Sequence, residues 1–508
     1  MKPSTLPASP ADRDRPSPAL RVMLYTFSST TAWWRHIGQS LHCASETAIV
    51  SDLPEADVDI IPSYYRHMRS RPCAPVAIGA LGEAACDDVI ARCRLLRHLP
   101  RATALKMIGA MWLAINETLD QFRPDVFVCF VIDRYILDLF DRALAARGVR
   151  YVGLAIGIIP DHVMLMARGE YLPLREPSDA EVAAVVELLA QPDFKPTYVS
   201  AYRFGLRRFL SLWAKFTARW LVFELIMLWR RNPLDFRYLA TRSAKCGYRV
   251  RLRDWRVMGF LDPAWRDVLN RTPFERRVFV GLSINPEAAI EYWVYNRELV
   301  DYVAVVERLA QVFGPAGYRL FIKDHPGQFG FRQVEVLERL ARYDCITFVP
   351  YEVSGRTMIR ECHATFAWTG TVGFEAAMLG RAVMAADGAY YLVDDAFYVV
   401  RGMDDIASLP DRISRFVPPA DLRAHQEQLV RHLLRSTVAG GYMGWRGFSG
   451  KTTSGDPTTR LVESFDQFLP RIARRTPPAT RADGSFHTQR YVRSVDEPPA
   501  GVAEGAAR

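Results

Sequence analysis

The sequence predicts an α/β protein built from two doubly wound, mostly parallel sheets that face each other across a cleft. Three observations carry that expectation. Short apolar runs alternate with helix-like stretches over residues 21–199 and again over 275–415. A long aromatic and basic helical segment, within 200–274, separates the two series. Several of the apolar runs end in polar, Gly- and Pro-bearing loops, the place where open α/β sheets bind ligands.

The first series opens with RVMLYTF (21–27), a strand, and a hydroxyl-rich loop of Ser28, Ser29, Thr30 and Thr31. A helix over 32–43 and a strand near 47–50 complete one β-α-β unit. Residues 78–120 read as helical. PDVFVCFV (124–131) is a buried strand, 136–147 a helix stopped by Gly148, and 149–155 the next strand. The second series starts with RVFVGL at 277. It continues as helix 297–313, strand 318–323, helix 331–342, strand 345–349, helix 354–361, strand 364–367, helix 372–379 and strand 381–385. Residues 416–471 read as helices packing back onto the first domain. The ends, 1–20 and 472–508, are rich in Pro, Arg, Ser and Ala without apolar periodicity, and are expected to be disordered.

A chain of 508 residues, 49% hydrophobic and 24% charged, has ample length to bury two cores. Its net charge of +9 rests on Arg, since only seven of the 65 basic residues are Lys. The charge is spread along the chain, so nucleic acid is not an expected partner; phosphate-bearing ligands or an anionic membrane surface fit it as well. The eight cysteines contain no C-x-x-C pair, which points to buried thiols in a reducing compartment. No apolar leader opens the chain and no run of 18 apolar residues occurs. The expected location is cytoplasmic, with contact to the inner face of the plasma membrane left open.

The residues that bear chemistry cluster after 280. RLFIKDHPGQ (319–328) delivers Lys323, Asp324 and His325 at the carboxyl end of a strand, with Pro326 holding His325 extended. A neutral imidazole there can hydrogen-bond a phosphate; a protonated one can neutralise it. FAWTGTVGFEAAMLG (366–380) runs from a strand through Thr369, Gly370 and Thr371 into a helix. Backbone N–H groups at such a start hold phosphate, and Thr371 is the expected cap. Glu375 lies four residues on, either complementing the helix dipole or accepting the two hydroxyls of a ribose. Asn285 and Glu287 follow the first strand of the second series, as turn residues or as contacts to sugar hydroxyls. In the first series Asp133, Arg134 and His162 follow strands, and Asp133 is the best-placed carboxylate for a base.

The segment 202–231 reads YRFGLRRFLSLWAKFTARWLVFELIMLWRR. Phe209, Trp213, Phe216, Trp220 and Met227 fall on one helical face and Arg208, Lys215 and Arg219 on the opposite one, with Arg230 and Arg231 at the end. Such a face suits either packing or a membrane interface. Asp57 and Asp59 form a D-x-D that reads as a loop rather than a metal site. The stretch from Gly444 to Lys451 and Thr452 resembles a P-loop but has a misplaced first Gly and no preceding strand. No metal and no cofactor are expected.

Together these pieces resemble the capsular polysaccharide biosynthesis glycosyltransferases, the group that includes the Kdo transferases. INPEA (284–288) is similar to its Q-P-E-type element, FIKDHP (321–326) to its V-K-E-H-P, and TGTVGFEAAMLGRAV (369–383) to its T-G-T-x-G-[WF]-E-A-x-x-x-G-K-P-V. GAYY (388–391) resembles the end of that block. Asn285 stands where Gln is usual, and Arg381 and Ala382 replace Lys-Pro. The match is good over 280–395 and faint over 120–165. The resemblance implies a GT-B fold, with residues 21–199 as an acceptor domain and 275–415 as a nucleotide-sugar domain. It implies metal-independent transfer from a nucleotide-sugar donor, CMP-linked sugars among the candidates, to a cell-surface polysaccharide or glycolipid. His325 would contact the donor phosphate, Thr369, Gly370 and Thr371 would line the phosphate site, with Lys323 nearby, and Glu375 would lie near the ribose. A nucleotide-sugar epimerase of the same fold and a non-catalytic assembly or export partner are the alternatives.

Overall fold

The computed structural model describes residues 19–474, apart from 28–29, 53–54, 71, 192–193, 195, 197–201, 231–248, 394–395, 447, 449 and 451–454, and apart from four side chains in the helix ending at Arg230 (223, 226, 227 and 230). Ser28, Ser29, the side chains of Met227 and Arg230, Arg231, Cys246, Lys451, Thr452 and most of both tails therefore lie outside the described residues.

Strands β1 (Leu20–Thr26), β2 (Ala44–Ser51), β3 (Val58–Asp59), β4 (Val126–Phe130), β5 (Arg150–Ile156) and β6 (His162–Leu165) form the first sheet. Strands β7 (Arg277–Gly281), β8 (Arg319–Lys323), β9 (Ile346–Val349), β10 (Ala364–Ala367), β11 (Ala382–Ala386) and β12 (Tyr398–Val400) form the second, in the order β12-β11-β10-β7-β8-β9, parallel throughout. A late strand, β13 (Thr437–Ala439), returns to the first sheet, whose order is β13-β6-β5-β4-β1-β2-β3. The fold is therefore α/β with two largely parallel sheets. The departures from parallel are β6 against β5 and β13 against β6. The central strands are buried along their whole length, β4 and β11 at every residue, because helices cover both faces of a parallel sheet.

Several boundaries differ from the periodicity reading, each for a local reason. The stretch 78–120 is not one helix. It is Cys73–Leu81, Glu83–Arg92 and Arg101–Phe122, broken at Gly82, which sits at φ 83°, and again before Pro100. Residues 297–313 divide into a 3₁₀ turn (Arg297–Val300) and a helix (Tyr302–Phe313) whose first turn is capped by Asp301, accepting from the Ala304 N–H. Strand β1 begins at Leu20 and the last helix, Pro457–Ala473, extends past 471.

The segment after 415 joins the two halves. Helix Leu422–Arg435 packs on helix Thr371–Met378, with Gln426 donating to the Met378 carbonyl (2.8 Å). Helix Pro457–Ala473 packs on the first domain, where Trp33 Nε1 donates to Thr458 Oγ1 (3.0 Å).

Candidate functional site

Strands β10, β7 and β8 are neighbours, so their three carboxyl-end loops lie side by side. The loop after β7 touches both others. Gln328 Nε2, beyond β8, donates to the Asn285 carbonyl (3.1 Å), and Thr369 Oγ1, beyond β10, donates to the Ala289 carbonyl (2.9 Å). The Asn285–Pro286 peptide is cis. The topology thus gathers residues that are far apart in sequence along one sheet edge.

The β8 loop is fixed by Asp324. Its buried carboxylate accepts from Arg332 (2.7 and 3.1 Å), from the Tyr351 hydroxyl (2.7 Å) and from the His325 N–H (2.8 Å). Asp324 therefore holds the backbone of His325 rather than its imidazole. Pro326 opens a 3₁₀ turn in which the Gly327 N–H donates to His325 Nδ1 (3.0 Å). Nδ1 is an acceptor, so the neutral ring carries its proton on Nε2. Burial pulls the imidazole down to about 4; Asp324 opposes that, while Lys323 and Arg332 reinforce it. Lys323 is more enclosed than its sequence position suggested. Its Nζ donates to the Asp324 carbonyl (3.1 Å), and burial lowers its pKa to about 8 against the pull of Asp324 and Glu352.

The β10 loop leads into helix Thr371–Met378. The cap is Gly370, and no side chain caps this helix; Thr371 is its first residue, a correction to the expected Thr371 cap. The Tyr391 hydroxyl donates to the Gly370 carbonyl (3.0 Å) and lies so close to Gly373 that a Cβ there would stand 2.2 Å from its oxygen. Tyr391 thereby fixes the turn that aims the first N–H groups of the helix. Glu375 sits one turn on. Burial raises its pKa, while Arg356 and a hydrogen bond from Thr371 oppose the rise. It borders a cavity of about 80 Å³ whose lining includes Ile158 and Leu189 from the first domain and Arg356 from the second. Arg356 spans this seam by donating to the Leu189 carbonyl (3.0 Å).

From the first domain, Asp133 follows β4 and forms a two-pronged pair with Arg134 (2.8 and 3.0 Å). Burial pushes its carboxyl up, but Arg134, helped by Arg94, holds it below the ordinary value. A carboxylate so paired is a weak base. Glu287 behaves in the opposite way. Burial raises it to about 7; Arg94 opposes the rise and Glu291 adds to it. Arg94 and Arg97 both bridge to Glu291 (2.5 and 2.9 Å), and Arg92 donates to the carbonyls of Glu291, Val294 and Tyr295. A basic strip on the first domain thus grips the segment that carries Glu287. The half-buried Tyr442 feels the charge of both Asp133 and Glu287. Arg94 and Tyr442 are thus electrostatically coupled to a carboxylate from each domain.

His162 starts β6, with Nδ1 bonded to the Pro160 carbonyl (2.9 Å) and Nε2 4.0 Å from Glu181. Asp57 accepts from Arg35 and from the Ile49 N–H, and Asp59 from the Ile61 N–H. Their roles here are local. Among the described residues, no group of three or more His, Cys, Asp or Glu gathers as metal ligands.

Sequence reasoning missed Arg332, Tyr351, Arg94 and Tyr442. Arg332 had a signal, as the only cation downstream of Asp324 in the same short loop. The other three reach the site only through tertiary packing.

No family model matches the sequence, and no curated protein matches it. Solved structures do show likeness. The β-Kdo 2,7-transferase KpsC of Thermosulfurimonas dismutans aligns at 12% identity over 69% of this chain and 88% of its own, with a TM-score of 0.30. The UDP-GlcNAc 2-epimerase of Methanocaldococcus jannaschii, in complex with UDP-GlcNAc and UDP, aligns at 12% identity over 82% and 99%, with a TM-score of 0.25. HepE of Anabaena, in complex with UDP-glucose, aligns at 10% over 82% and 97%, also at 0.25. Likeness at this level fixes no function.

Proposed function

We propose that the chain is a GT-B-type glycosyltransferase that moves a sugar from a nucleotide-sugar donor to a polysaccharide or glycolipid acceptor at the inner face of the membrane. The observation that carries the reading is the shared edge of β10, β7 and β8. There His325, locked as the Nε2–H tautomer, and the N-terminus of helix Thr371–Met378 flank the loop bearing Asn285 and Glu287. Backbone N–H groups and the helix dipole suit the donor's phosphates. The Thr369 and Thr371 hydroxyls, Lys323 and Asn285 are proposed to line the donor, with Glu375 beside the ribose.

In the reaction the sugar–phosphate bond breaks and its electron pair stays on the phosphate oxygen. The acceptor oxygen bonds the anomeric carbon and loses its proton. The Nε2–H of His325 stabilises charge that grows on the departing phosphate, an interaction stronger in the transition state than in the bound donor. Glu287 is the proposed proton acceptor, because its pKa is matched to neutral pH while that of Asp133 is held low. Asp133 then serves to orient Arg134 in the acceptor half. Leaving-group stabilisation comes from protein donors, so activity is expected to survive EDTA.

The test incubates purified protein with CMP-, UDP-, GDP- and dTDP-linked sugars, alone and with cell-derived glycan or glycolipid acceptors. Nucleotide release that is coupled to acceptor glycosylation is the expected result. Sugar conversion without acceptor would make the protein an epimerase. Nucleotide binding with neither outcome would make it a non-catalytic partner in assembly or export.

A further inference from the structure

The helix Leu206–Arg230 has two apolar faces, and the aromatic one already has a partner. Phe209 packs on Trp255 (5.3 Å between centroids), Phe216 meets Phe331 edge-on (4.8 Å), and Leu212 lies against Gly330. Trp213 joins the same second-domain core. Of the two readings of this face, packing and membrane interface, the structure shows packing for Phe209, Trp213 and Phe216.

The other face is left in solvent. Leu206, Leu210, Leu221, Val222, Leu225, Leu228 and Trp229 are all exposed, Leu228 at 72% and Trp229 at 81%. On a helical projection the last five fall within an arc of about 120°. Arg208, Lys215 and Arg219 border that arc and are also exposed. Over 202–231 the sequence holds seven basic residues and one acidic one, Glu224, so the chemistry that complements this face is both apolar and anionic. No helix among the described residues is long and apolar enough to cross a bilayer.

We infer that the exposed face of helix Leu206–Arg230 is an in-plane docking surface for an anionic lipid bilayer. Leu225, Leu228 and Trp229 enter the acyl–headgroup boundary and Arg208 and Lys215 contact the headgroups. The helix starts beside the candidate site. The Tyr202 ring meets His325 edge-on (6.4 Å), and Phe204 stacks on Tyr351 (5.3 Å). A bilayer held by this helix would bring a lipid-borne acceptor to the cleft. That consequence rests on the proposed glycosyltransferase reading; the lipid binding itself does not.

The experiment is flotation of the full chain with phosphatidylglycerol–phosphatidylcholine vesicles and with pure phosphatidylcholine vesicles. Wild type is expected to float with the anionic vesicles and to be released by salt. Leu225→Ser/Leu228→Ser/Trp229→Ser should reduce the bound fraction at least roughly tenfold, and Arg208→Glu/Lys215→Glu by a similar factor. All five positions are exposed, so unchanged thermal melting is expected and separates lost binding from lost folding. Wild type that stays unbound, or a triple variant that floats like wild type, overturns the inference. Sedimentation showing a dimer that the triple variant dissociates, without lipid binding, would assign the face to a second copy and also overturn it. Transfer to a soluble acceptor fragment is measured alongside. Its failure would count against the glycosyltransferase reading while leaving the flotation result intact.

Discussion

The Gly327 backbone N–H donates to Nδ1 of His325 at 3.0 Å, so the turn that follows Pro326 decides which imidazole nitrogen keeps the proton. A ring held this way is a hydrogen-bond donor at Nε2 throughout the neutral range, because burial has drawn its pKa to about 4. The His-Pro loop thus presents a neutral donor.

His325→Ala should cut turnover by roughly a hundredfold or more, the scale of a lost oxyanion donor, with a smaller effect on donor affinity. Steady-state kinetics on a working donor–acceptor pair checks it. The same residue predicts a stability signature. Its folded pKa lies below the ordinary 6.5, so the unfolded chain binds more protons between those values. His325 then favours folding fully above pH 6.5 and loses that contribution as pH falls toward 4. In His325→Ala the acid-side decline in melting temperature should be shallower across that window.

Glu287 carries the opposite sign. A carboxyl raised from 4.5 to about 7 binds its proton more tightly when folded, so ionising it weakens the fold as pH rises through that range. Glu287→Gln should therefore melt higher than wild type at pH 8, with the gap closing near pH 4.5. If Glu287 is the base, the acid limb of the rate profile near pH 7 should vanish with it and turnover should fall by roughly a hundredfold. A variant that melts higher while keeping the limb would leave Glu287 structural and return attention to Asp133.

Arg332 and Asp324 form a buried pair directly behind the histidine (2.7 Å). Arg332→Met leaves a buried carboxylate with only the Tyr351 hydroxyl and the His325 N–H as partners. Loss of one member of such a pair typically costs about 3–5 kcal/mol. Urea unfolding should show a cost on that scale. Any folded fraction should lose turnover more than donor affinity, because the carboxylate that holds the His325 N–H has lost its own clamp.

What could be read from the sequence follows from geometry. The parallel strands of the second sheet are buried on both faces, so they appear as unbroken apolar runs, and their ends are marked by Gly, Pro and charged residues. The loops holding His325, Asn285 and Thr369 were visible for that reason, as strand ends. The partners that fix them were not: Arg94 and Tyr442 come from segments with no local signature, brought in by packing. Helix Leu206–Arg230 shows a different limit. Apolar residues cover most of its circumference, so periodicity alone offers two faces and cannot say which one the fold covers. Short β9 and β10 were readable because each stands between two helix-like stretches; β6 follows β5 with no helix between them, and the three residues of β13 lie in a segment that reads as helical.

The close approach of Tyr391 to Gly373 yields the last prediction. A methyl group at Gly373 would sit 2.2 Å from the Tyr391 oxygen and 2.9 Å from the ring carbon that bears it, both inside van der Waals contact. Tyr391 is fully buried and cannot swing into solvent, so the collision must be relieved by moving the ring or the helix start. Either shift disturbs the hydrogen bond from Tyr391 to the Gly370 carbonyl and the direction of the first N–H groups of helix Thr371–Met378. Gly373→Ala is expected to destabilise the protein by about 1–3 kcal/mol, the usual cost of overpacking, and to weaken nucleotide binding. Tyr391→Phe in the same chain removes the nearest atom but not the ring carbon behind it. The double variant should therefore recover part of the stability, giving a non-additive cycle as expected for residues in contact. Nucleotide affinity should not recover with it, because the bond that sets the Gly370 turn is still missing. Calorimetry on the four proteins separates these effects. Full recovery of affinity in the double variant would mean that the turn holds its shape without Tyr391, and that the hydroxyl has no part in positioning the phosphate loop.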